Sequence, residues 1–301
     1  MIEFKTVSKL YGDGTRAVDG FSAVMPSRKT TVLVGSSGCG KTTLLRMINR
    51  MVDPTSGTIE IDGADISQTE PVHLRRGIGY VMQNSGLLPH RKVLDNIATV
   101  LFLTRVPKAQ AYERAYELLD TVGLDRALAN RYPGELSGGQ QQRVGVARGL
   151  AANPNILLMD EPFGAVDPIV RVDLQAETMR LQRELDKTIV FVTHDIDEAF
   201  LLGDQVIILG KGARIAQQGS PEEILANPAN DFVASFVGAD RGKRRLTVVA
   251  NVKSRGDDLV LIDAGGYAAG VISAPGGKLS EGTASPKSRS VSNKTSQAGD
   301  A

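Results

Sequence analysis

The 301-residue sequence contains one cysteine, Cys39, and no tryptophan. One cysteine cannot form a disulfide within the chain, and the first residues lack the basic start and apolar run of a secretion signal. We therefore expect a reducing, cytoplasmic location. No apolar run reaches the ~18 residues that a transmembrane helix requires, since the richest stretch, 97–103, is interrupted by Thr99. Any role at a membrane is predicted to be peripheral.

The sequence also has no large excess of either charge, with 35 Lys+Arg against 34 Asp+Glu. This balance argues against a strongly basic nucleic-acid-binding protein and against an acidic disordered chain. The charge is nevertheless uneven, because residues 1–240 carry a net −4 and residues 241–301 a net +5. From Ala274 onward the residues are mostly small or polar and cannot form a core, so 275–301 is predicted to be disordered.

Short segments of almost wholly apolar, often β-branched residues recur along the chain, at 30–34, 156–159 and 188–192. Strands of this kind are typical of a sheet that is buried on both faces, which predicts an α/β fold. Strand signals are absent between about 93 and 153. There, 109–122 and 140–152 have helical apolar spacing, which predicts a helical insertion in the α/β core.

The strongest local motif lies between the first of these strands and a helical run at 43–48. It consists of Gly35, Ser36, Ser37, Gly38, Cys39, Gly40, Lys41 and Thr42. This is the phosphate-binding loop pattern, in which backbone N–H groups and a helix N-terminus bind phosphate oxygens. We expect Lys41 to reach the β- and γ-phosphates, Thr42 to ligate Mg²⁺, and Thr43 to complete the nucleotide site, which the family resemblance described below identifies as an ATP site. Cys39 occupies a variable position and is given no catalytic role.

The loop alone is compatible with kinases, GTPases and many ATPases. A second motif narrows the class of enzyme. The apolar strand 156–159 ends in Asp160 and Glu161. A buried strand at this place would deliver Asp160 to the metal and Glu161 to the water that attacks the γ-phosphate. The sequence therefore predicts a nucleotide and Mg²⁺ as the bound groups, with Glu161 as the residue that polarises water.

A third motif precedes the helical segment 140–152 and consists of Leu136, Ser137, Gly138, Gly139 and Gln140. A hydroxyl and two glycines at a helix N-terminus form a second anion-binding site, and one nucleotide does not need two such sites in one subunit. With all three motifs in this order, residues 1–240 resemble the ATP-binding cassette (ABC) family. In that family the signature closes over the γ-phosphate held by the other subunit of a head-to-tail dimer.

The resemblance implies roles for four further residues. Tyr11 matches the aromatic residue that stacks on adenine. Gln83 matches the glutamine that touches Mg²⁺ and the attacking water and links the core to the helical insertion. Asp167 matches a position that communicates across the dimer, and His194 matches the histidine that contacts the γ-phosphate. The catalytic set implied in this way is Glu161, His194, Gln83 and Lys41, and the Mg²⁺ set is Thr42, Gln83 and Asp160.

The family fold implied is a P-loop NTPase, or RecA-like, core with a helical subdomain, an antiparallel β subdomain and a short C-terminal extension. We expect an ATPase domain over 1–240, with the helical subdomain at about 88–153, a β-rich extension over 241–274, and the disordered tail. Residues 258–272 resemble only the end of one regulatory cystathionine-β-synthase (CBS) unit. A remnant of such a unit and a short β-rich extension are equally good interpretations, and a full CBS pair does not fit.

Several stretches resemble the ATPases of importers for glycine betaine, carnitine, choline and proline. They are 49–51 with 53–57, 79–84 with 86–90, 167–171, 194–199, and 223–229 through 236–238. The resemblance implies an ATPase at the cytoplasmic membrane face that energises osmoprotectant import. Its implied partners are separate permease subunits, an extracytoplasmic substrate-binding protein and a second, identical ATPase subunit, with no nucleic acid.

Three alternative functions differ in how well the sequence supports them. A polar amino-acid or sulfonate importer is the alternative for the cargo, because ATPase subunits do not contact the transported molecule. A cassette ATPase acting on nucleic acid or ribosomes usually has two fused cassettes or a long coiled-coil insertion, and neither is present in the sequence. A non-hydrolysing regulatory subunit would need to lack one of the residues Lys41, Asp160, Glu161 or His194, and all four are present.

Overall fold

The computed structural model describes residues 1–164 and 168–238, together with the backbone of three later strands at 247–250, 258–262 and 268–273. The chain divides into two compact units, Met1–Asp240 and Arg241–Ala301. Asp167 and the tail 275–301, for both of which the sequence makes predictions, lie outside the described residues.

A six-stranded sheet forms the centre of the first unit. Its strands are β3 (Thr30–Gly35), β6 (Ile78–Val81), β7 (Ile156–Asp160), β8 (Thr188–Thr193), β9 (Gln205–Leu209) and β10 (Ile215–Gly219). They lie in the order β10-β9-β3-β8-β7-β6, and all neighbours are parallel except the edge pair of β9 and β10. Parallel strands end at the same edge of a sheet, so the residues that follow β3, β6, β7 and β8 meet there.

Both faces of this sheet are buried, because successive side chains of a strand point to opposite faces. In β3, Val32 and Val34 belong to one hydrophobic cluster and Leu33 to the other. In β8 the same alternation places Phe191 in the first cluster and Val192 in the second. The predicted burial of the sheet on two sides is therefore confirmed.

A second, antiparallel sheet covers one side of the core. It consists of β1 (Ile2–Leu10), β2 (Arg16–Met25), β4 (Ser56–Ile61) and β5 (Ala64–Asp65), in the order β2-β1-β4-β5. The rings of Phe4 in β1 and Phe21 in β2 pack edge to face, 5.1 Å apart. Their cluster also contains Leu33 of the central sheet, so the two sheets share one core.

The described α-helices of the first unit surround these sheets. They are α1 (Lys41–Ile48), α2 (Pro71–Arg76), α3 (Val93–Leu103), α4 (Lys108–Thr121), α5 (Gly138–Leu150), α6 (Pro168–Leu185), α7 (Ile196–Leu202), α8 (Pro221–Ala226) and α9 (Asp231–Phe236). Short 3₁₀ turns lie at Ile66–Gln68, Arg126–Asn130, Pro133–Glu135 and Lys211–Ala213. None of the described helices is both long and apolar enough to cross a bilayer.

The helices α3, α4 and α5 follow one another between β6 and β7 and pack together. Ile97 of α3, Leu119 of α4 and Val144 of α5 are fully buried in the same cluster. The predicted α/β fold, with its helical region and its antiparallel sheet, is thus confirmed.

The second unit contains three described strands, β11 (Thr247–Ala250), β12 (Asp258–Ile262) and β13 (Ala268–Ser273). They form an antiparallel sheet in chain order, with Val249 opposite Val260 and Val260 opposite Val271. The predicted extension therefore contains β structure. Its two interpretations, a CBS remnant or a short extension, stay predictions.

Candidate active site

The loop between β3 and α1 has a backbone that requires glycine at two positions. Gly38 has φ 77° and Gly40 has φ 114°, both in the left-handed region that side chains disfavour. A Cβ atom at Gly40 would also collide with the carbonyl oxygen of Ala17 in β2. The loop can therefore curl against β2 and lead directly into the N-terminus of α1, which is the geometry that binds phosphate.

The side chain of Lys41 lies beneath this loop. The residue is only 4% exposed, and its Nζ donates to the carbonyl oxygens of Gly35 at 2.7 Å and Ser36 at 3.0 Å. An ammonium group has three N–H donors, so one remains for a phosphate oxygen. These two hydrogen bonds hold the ammonium group of Lys41, and therefore its positive charge, against the loop.

A cleft of about 190 Å³ opens above the loop. It is lined by Ala17, Ser37, Gly38, Gly40, Lys41, Thr42, Thr43 and Glu161. Most of the predicted loop residues thus meet in one cavity, and Glu161 joins them. Gly35, Ser36 and Cys39 of the predicted set do not line it. Cys39 is buried in the hydrophobic cluster beneath β1 and β2, which explains why this position accepts a small apolar side chain.

The hydroxyl of Thr42 donates to Oδ1 of Asp160 at 2.9 Å, so two predicted metal ligands are neighbours. Hydroxyl and carboxylate oxygens are ligands that Mg²⁺ accepts, and this ion usually keeps waters and substrate phosphates in its remaining positions. Among the described residues, no group of three or more His, Cys, Asp or Glu side chains is arranged so that it could hold a metal ion. The pair fits a phosphate-bound Mg²⁺ better than an all-protein metal cage.

Tyr80 was missed by the sequence reasoning. Its hydroxyl donates to Oδ2 of Asp160 at 3.0 Å, while Thr42 occupies Oδ1. Burial and then the charge of Asp160 raise the pKa of Tyr80 to about 12, so the phenol stays a donor. Tyr80 pairs with Leu158 on the neighbouring strand, two residues before Asp160. A polar residue at that place in an apolar strand is the signal that could have identified it.

Glu161 follows β7 with φ 44°, an unusual conformation for a residue with a side chain. Its backbone N–H donates to the carbonyl of Val192 in β8, which fixes the turn. Its Oε2 lies 3.1 Å from Nδ1 of His194 and 3.4 Å from Nε2 of Gln83. Three predicted catalytic residues, each at the end of a different parallel strand, therefore meet at one carboxylate oxygen.

The signature segment lies apart from the cleft. Ser137 caps α5, with its Oγ accepting from the N–H of Gln140 at 3.2 Å and its own N–H donating to Oε1 of Gln140. Ser137 and Gly138 are exposed, whereas Leu136 and Gly139 are buried and anchor the turn. The residues that line the cleft include no member of Leu136–Gln140.

Tyr11, the predicted adenine contact, lies in the tight turn between β1 and β2. Its backbone carbonyl accepts from Gly14 and its N–H donates to Thr15, so the turn is closed by two hydrogen bonds. The ring is 38% exposed, with the ammonium of Lys9 5.3 Å from its centroid. The role in stacking stays a prediction, as does the role of Asp167, which lies outside the described residues.

Comparison with known proteins agrees with this geometry. The family model described as ABC transporter matches residues 18–164, which span the phosphate loop, the signature and both carboxylates. The glycine betaine uptake system ATP-binding protein YehX of Escherichia coli is 49% identical over 249 residues, covering 82% of this chain and 80% of the relative. The chain belongs to the ABC transporter family.

A second relative and a solved structure are also similar to this chain. The glycine betaine/carnitine/choline transport ATP-binding protein OpuCA of Bacillus subtilis is 52% identical over 241 residues, covering 80% of this chain. The chain spans only 63% of that relative's length. A dimeric structure of the ATP-binding cassette MJ0796, described as a post-hydrolysis state bound to ADP and Pi, matches with a TM-score of 0.67 and 33% identity. That match covers 73% of this chain and 99% of the solved one.

Proposed function

We propose that this chain hydrolyses ATP and thereby energises the import of a quaternary-amine osmoprotectant such as glycine betaine, choline or carnitine. The relatives named above carry glycine betaine, carnitine and choline transport in their names, which supports this cargo class. The chain would act at the cytoplasmic face of the membrane, bound to separate permease subunits that receive the cargo from an extracytoplasmic substrate-binding protein.

The observation that carries the ATPase proposal is the convergence on Glu161. The same carboxylate that lines the phosphate cleft is contacted by Gln83 and His194. A base that lies beside the loop for the γ-phosphate, with two polar partners that fix its orientation, is what hydrolysis of a phosphoanhydride requires. A phosphate-binding site without hydrolysis would have no use for this arrangement.

In the proposed reaction Lys41 and the loop N–H groups hold the β- and γ-phosphates and neutralise the charge that develops on them. Mg²⁺, held by Thr42 and Asp160 with Gln83 at its edge, would supply further charge neutralisation. Glu161 accepts a proton from water as the water oxygen bonds to the γ-phosphorus and the bond to the β-phosphate oxygen of ADP breaks. Gln83 orients the water, and His194 contacts the γ-phosphate.

A second copy of the chain is part of this proposal. The exposed N-terminus of α5, capped by Ser137, can donate N–H groups to a phosphate, yet it does not line the chain's own cleft. A head-to-tail dimer would place it on the nucleotide of the other subunit. The solved relative described as dimeric and bound to ADP and Pi supports such an assembly.

The test uses the full chain together with its permease subunits, reconstituted in vesicles. ATP hydrolysis and uptake of labelled glycine betaine are measured in parallel, with Glu161→Gln as the inactive control. Hydrolysis and uptake that both depend on Glu161 support the proposal. Absence of hydrolysis by the parent would reject the ATPase, whereas hydrolysis coupled only to an amino acid or a sulfonate would reject the cargo class.

A further inference from the structure

The loop that carries Gln83 is held by a side chain of the signature helix. Arg148, near the C-terminal end of α5, donates from Nη2 to the carbonyl oxygen of Ser85 at 2.6 Å and from Nη1 to that of Gly86 at 2.7 Å. One guanidinium group thus spans two consecutive backbone carbonyls. A planar fork of donors is suited to such a pair, and a lysine ammonium is not.

The backbone of the loop is shaped to meet this side chain. Ser85 has φ 50° and Gly86 has φ 58°, so two successive residues adopt the left-handed conformation and present their carbonyl oxygens to Arg148. Ser85 is itself buried, with 5% exposure. For a serine this conformation is unfavourable and persists only when surrounding contacts hold it. The two hydrogen bonds from Arg148 are such contacts.

Two other residues of α5 on the same face meet the loop. Nε2 of Gln142 donates to the carbonyl oxygen of Met82 at 3.4 Å, and Gly145 lies directly against Ser85. Residues 142, 145 and 148 follow one another at a spacing of three, which places them along one side of a helix. The helix therefore contacts the loop on both sides of Gln83.

Among the described residues, no carboxylate forms an ion pair with Arg148. Burial lowers its pKa, and no charged group of the described residues offsets that effect. A half-buried guanidinium whose described partners are two backbone carbonyls is costly to place. Both carbonyls belong to the loop of Gln83, so the contacts of Arg148 act on that loop.

We propose that Arg148 is a positioning residue for hydrolysis, which fixes the 82–86 loop to α5 so that Gln83 stays against Glu161. The inference rests on the proposed ATPase function. Ser137 begins the same helix, and α5, with 13 residues, is about 20 Å long. The contacts of Arg148 would then join two parts of the nucleotide sites. The N-terminus of α5 at Ser137, which is predicted to bind the nucleotide of the other subunit, would move as one rigid element with the 82–86 loop beside the chain's own nucleotide.

The first test is a double-mutant cycle of Arg148→Met and Gln83→Ala in the full chain, with kcat and KM for ATP measured. Arg148→Met should lower kcat about 10-fold and leave KM within about twofold, because a small displacement of an orienting group costs rate while the phosphate loop is untouched. In the Gln83→Ala background the same change should lower kcat less than about twofold. An equal loss in both backgrounds, or no loss, would overturn the inference.

Arg143→Met is the matched control. Arg143 lies on the same helix and also donates to two consecutive carbonyls, those of Val122 and Gly123, but in a loop away from Gln83. Its replacement should leave kcat within about twofold at a comparable loss of thermal stability. If Arg148→Met does not fold, Arg148→Lys replaces it in the cycle, because lysine keeps the charge and loses the fork.

A second readout does not depend on ATPase activity. The chain has no tryptophan, so Asn84→Trp places a single fluorophore at an exposed position of the loop. Adding Arg148→Met should lower the fluorescence anisotropy of Trp at this site, and adding Arg143→Met should not. Unchanged anisotropy would overturn the inference even if the parent hydrolyses ATP. A parent without ATPase activity would reject the proposed function while this measurement still decides whether Arg148 holds the loop.

Discussion

Nδ1 of His194 lies 3.1 Å from Oε2 of Glu161, although the two residues are 33 positions apart in the chain. The contact arises because β7 and β8 are parallel neighbours and each residue follows the end of its strand. The side chain of His194 is half exposed, whereas that of Glu161 is largely buried. The pairing of these two strands is therefore what places Glu161 and His194 next to each other.

We expect His194→Ala to lower kcat by about 100-fold or more, because the proposed contact to the γ-phosphate and the hydrogen bond to Glu161 are both lost. KM for ATP should change little, since Lys41 and Thr42 remain. His73→Ala is the matched control, as His73 is exposed on α2. Steady-state ATPase assays decide the matter, and near-parental turnover by His194→Ala would remove His194 from the proposed catalytic set.

The central sheet and the helices were predictable because their signals are local. The predicted strands at 30–34, 156–159 and 188–192 correspond to β3, β7 and β8, and the helices predicted at 109–122 and 140–152 begin and end within two residues of α4 and α5. Apolar spacing sets these elements, and it requires no knowledge of partners. The same spacing does not specify the order of the strands, since β8 lies between β3 and β7 although it follows both in the chain.

The candidate site was predictable only where short motifs specify it. The phosphate loop, Asp160, Glu161 and the signature each follow a recognisable local pattern. Arg148 does not, and Tyr80 is marked only by being a polar residue in an apolar strand. The acceptor of Tyr80 lies 80 residues away in the chain, and the two acceptors of Arg148 lie 63 and 62 residues away. Contacts of this kind depend on strand register and helix packing, which a local pattern does not encode.

We expect Lys41→Ala to remove most ATP affinity and all measurable hydrolysis, because it deletes the main positive charge at the phosphates. It should also lower the free energy of unfolding by about 1–3 kcal/mol, since the buried carbonyl of Gly35 and the partly buried carbonyl of Ser36 lose their donor. Lys29→Ala is the control, because Lys29 is exposed and its contact with Asp204 is a surface ion pair. Nucleotide binding and chemical denaturation measure both effects, and unchanged ATP binding would reject the site.

The stability of the chain should fall between pH 10 and pH 12. Burial and Asp160 raise the pKa of Tyr80 from 10.0 to about 12, and a hydrogen bond to Asp95 does the same for Tyr112. The pKa of each tyrosine is higher in the folded than in the unfolded chain, so protonation stabilises the fold. This contribution is fully present below pH 10 and is lost as the pH rises towards 12. Ultraviolet titration should show the tyrosinate form of both residues appearing late. Tyr80→Phe and Tyr112→Phe should each remove one late-titrating group, and the absence of any such group would contradict the hydrogen bonds.

The same two variants should differ in their response to Mg²⁺. Tyr80 fixes the carboxylate of Asp160, whereas Tyr112 fixes Asp95 in the helical region. Tyr80→Phe should raise the Mg²⁺ concentration for half-maximal hydrolysis by about threefold, as expected for the loss of one hydrogen bond that orients a ligand. Tyr112→Phe should leave it unchanged, and identical behaviour of the two would show that Tyr80 does not act through Asp160.

Deletion of residues 275–301, which lie outside the described residues, should leave hydrolysis and thermal unfolding unchanged. The segment carries four basic and two acidic residues and almost no large apolar side chain, so it has little to contribute to a core. The truncated and full chains are compared by ATPase assay, calorimetry and transport in vesicles that contain anionic lipid. A large loss of transport alone would show that the basic segment binds lipid or a partner.

Glu161→Gln should lower kcat by at least about 100-fold while MgATP still binds. Glutamine keeps the shape of the side chain and one acceptor oxygen, but it cannot take a proton from water. The residues proposed to hold MgATP include Lys41 and Thr42, which line the same cleft and are untouched by the change. Asp160→Asn is the informative contrast, because it alters the oxygen that receives the Thr42 hydroxyl, and it should weaken Mg²⁺ binding along with catalysis.

The same variant should trap a dimer around two nucleotides. If the Ser137 end of α5 binds the γ-phosphate of the other subunit, the two chains stay joined for as long as that phosphate remains, and Glu161→Gln leaves it in place. Light scattering of this variant should therefore show a dimer with MgATP and a monomer with MgADP.

Ser137→Ala in the same background should weaken the dimer, because the helix cap is lost at the proposed contact. A mass that does not respond to MgATP would count against the shared site. Turnover near the parental rate would mean that a group other than Glu161, with His194 the next candidate, accepts the proton from water.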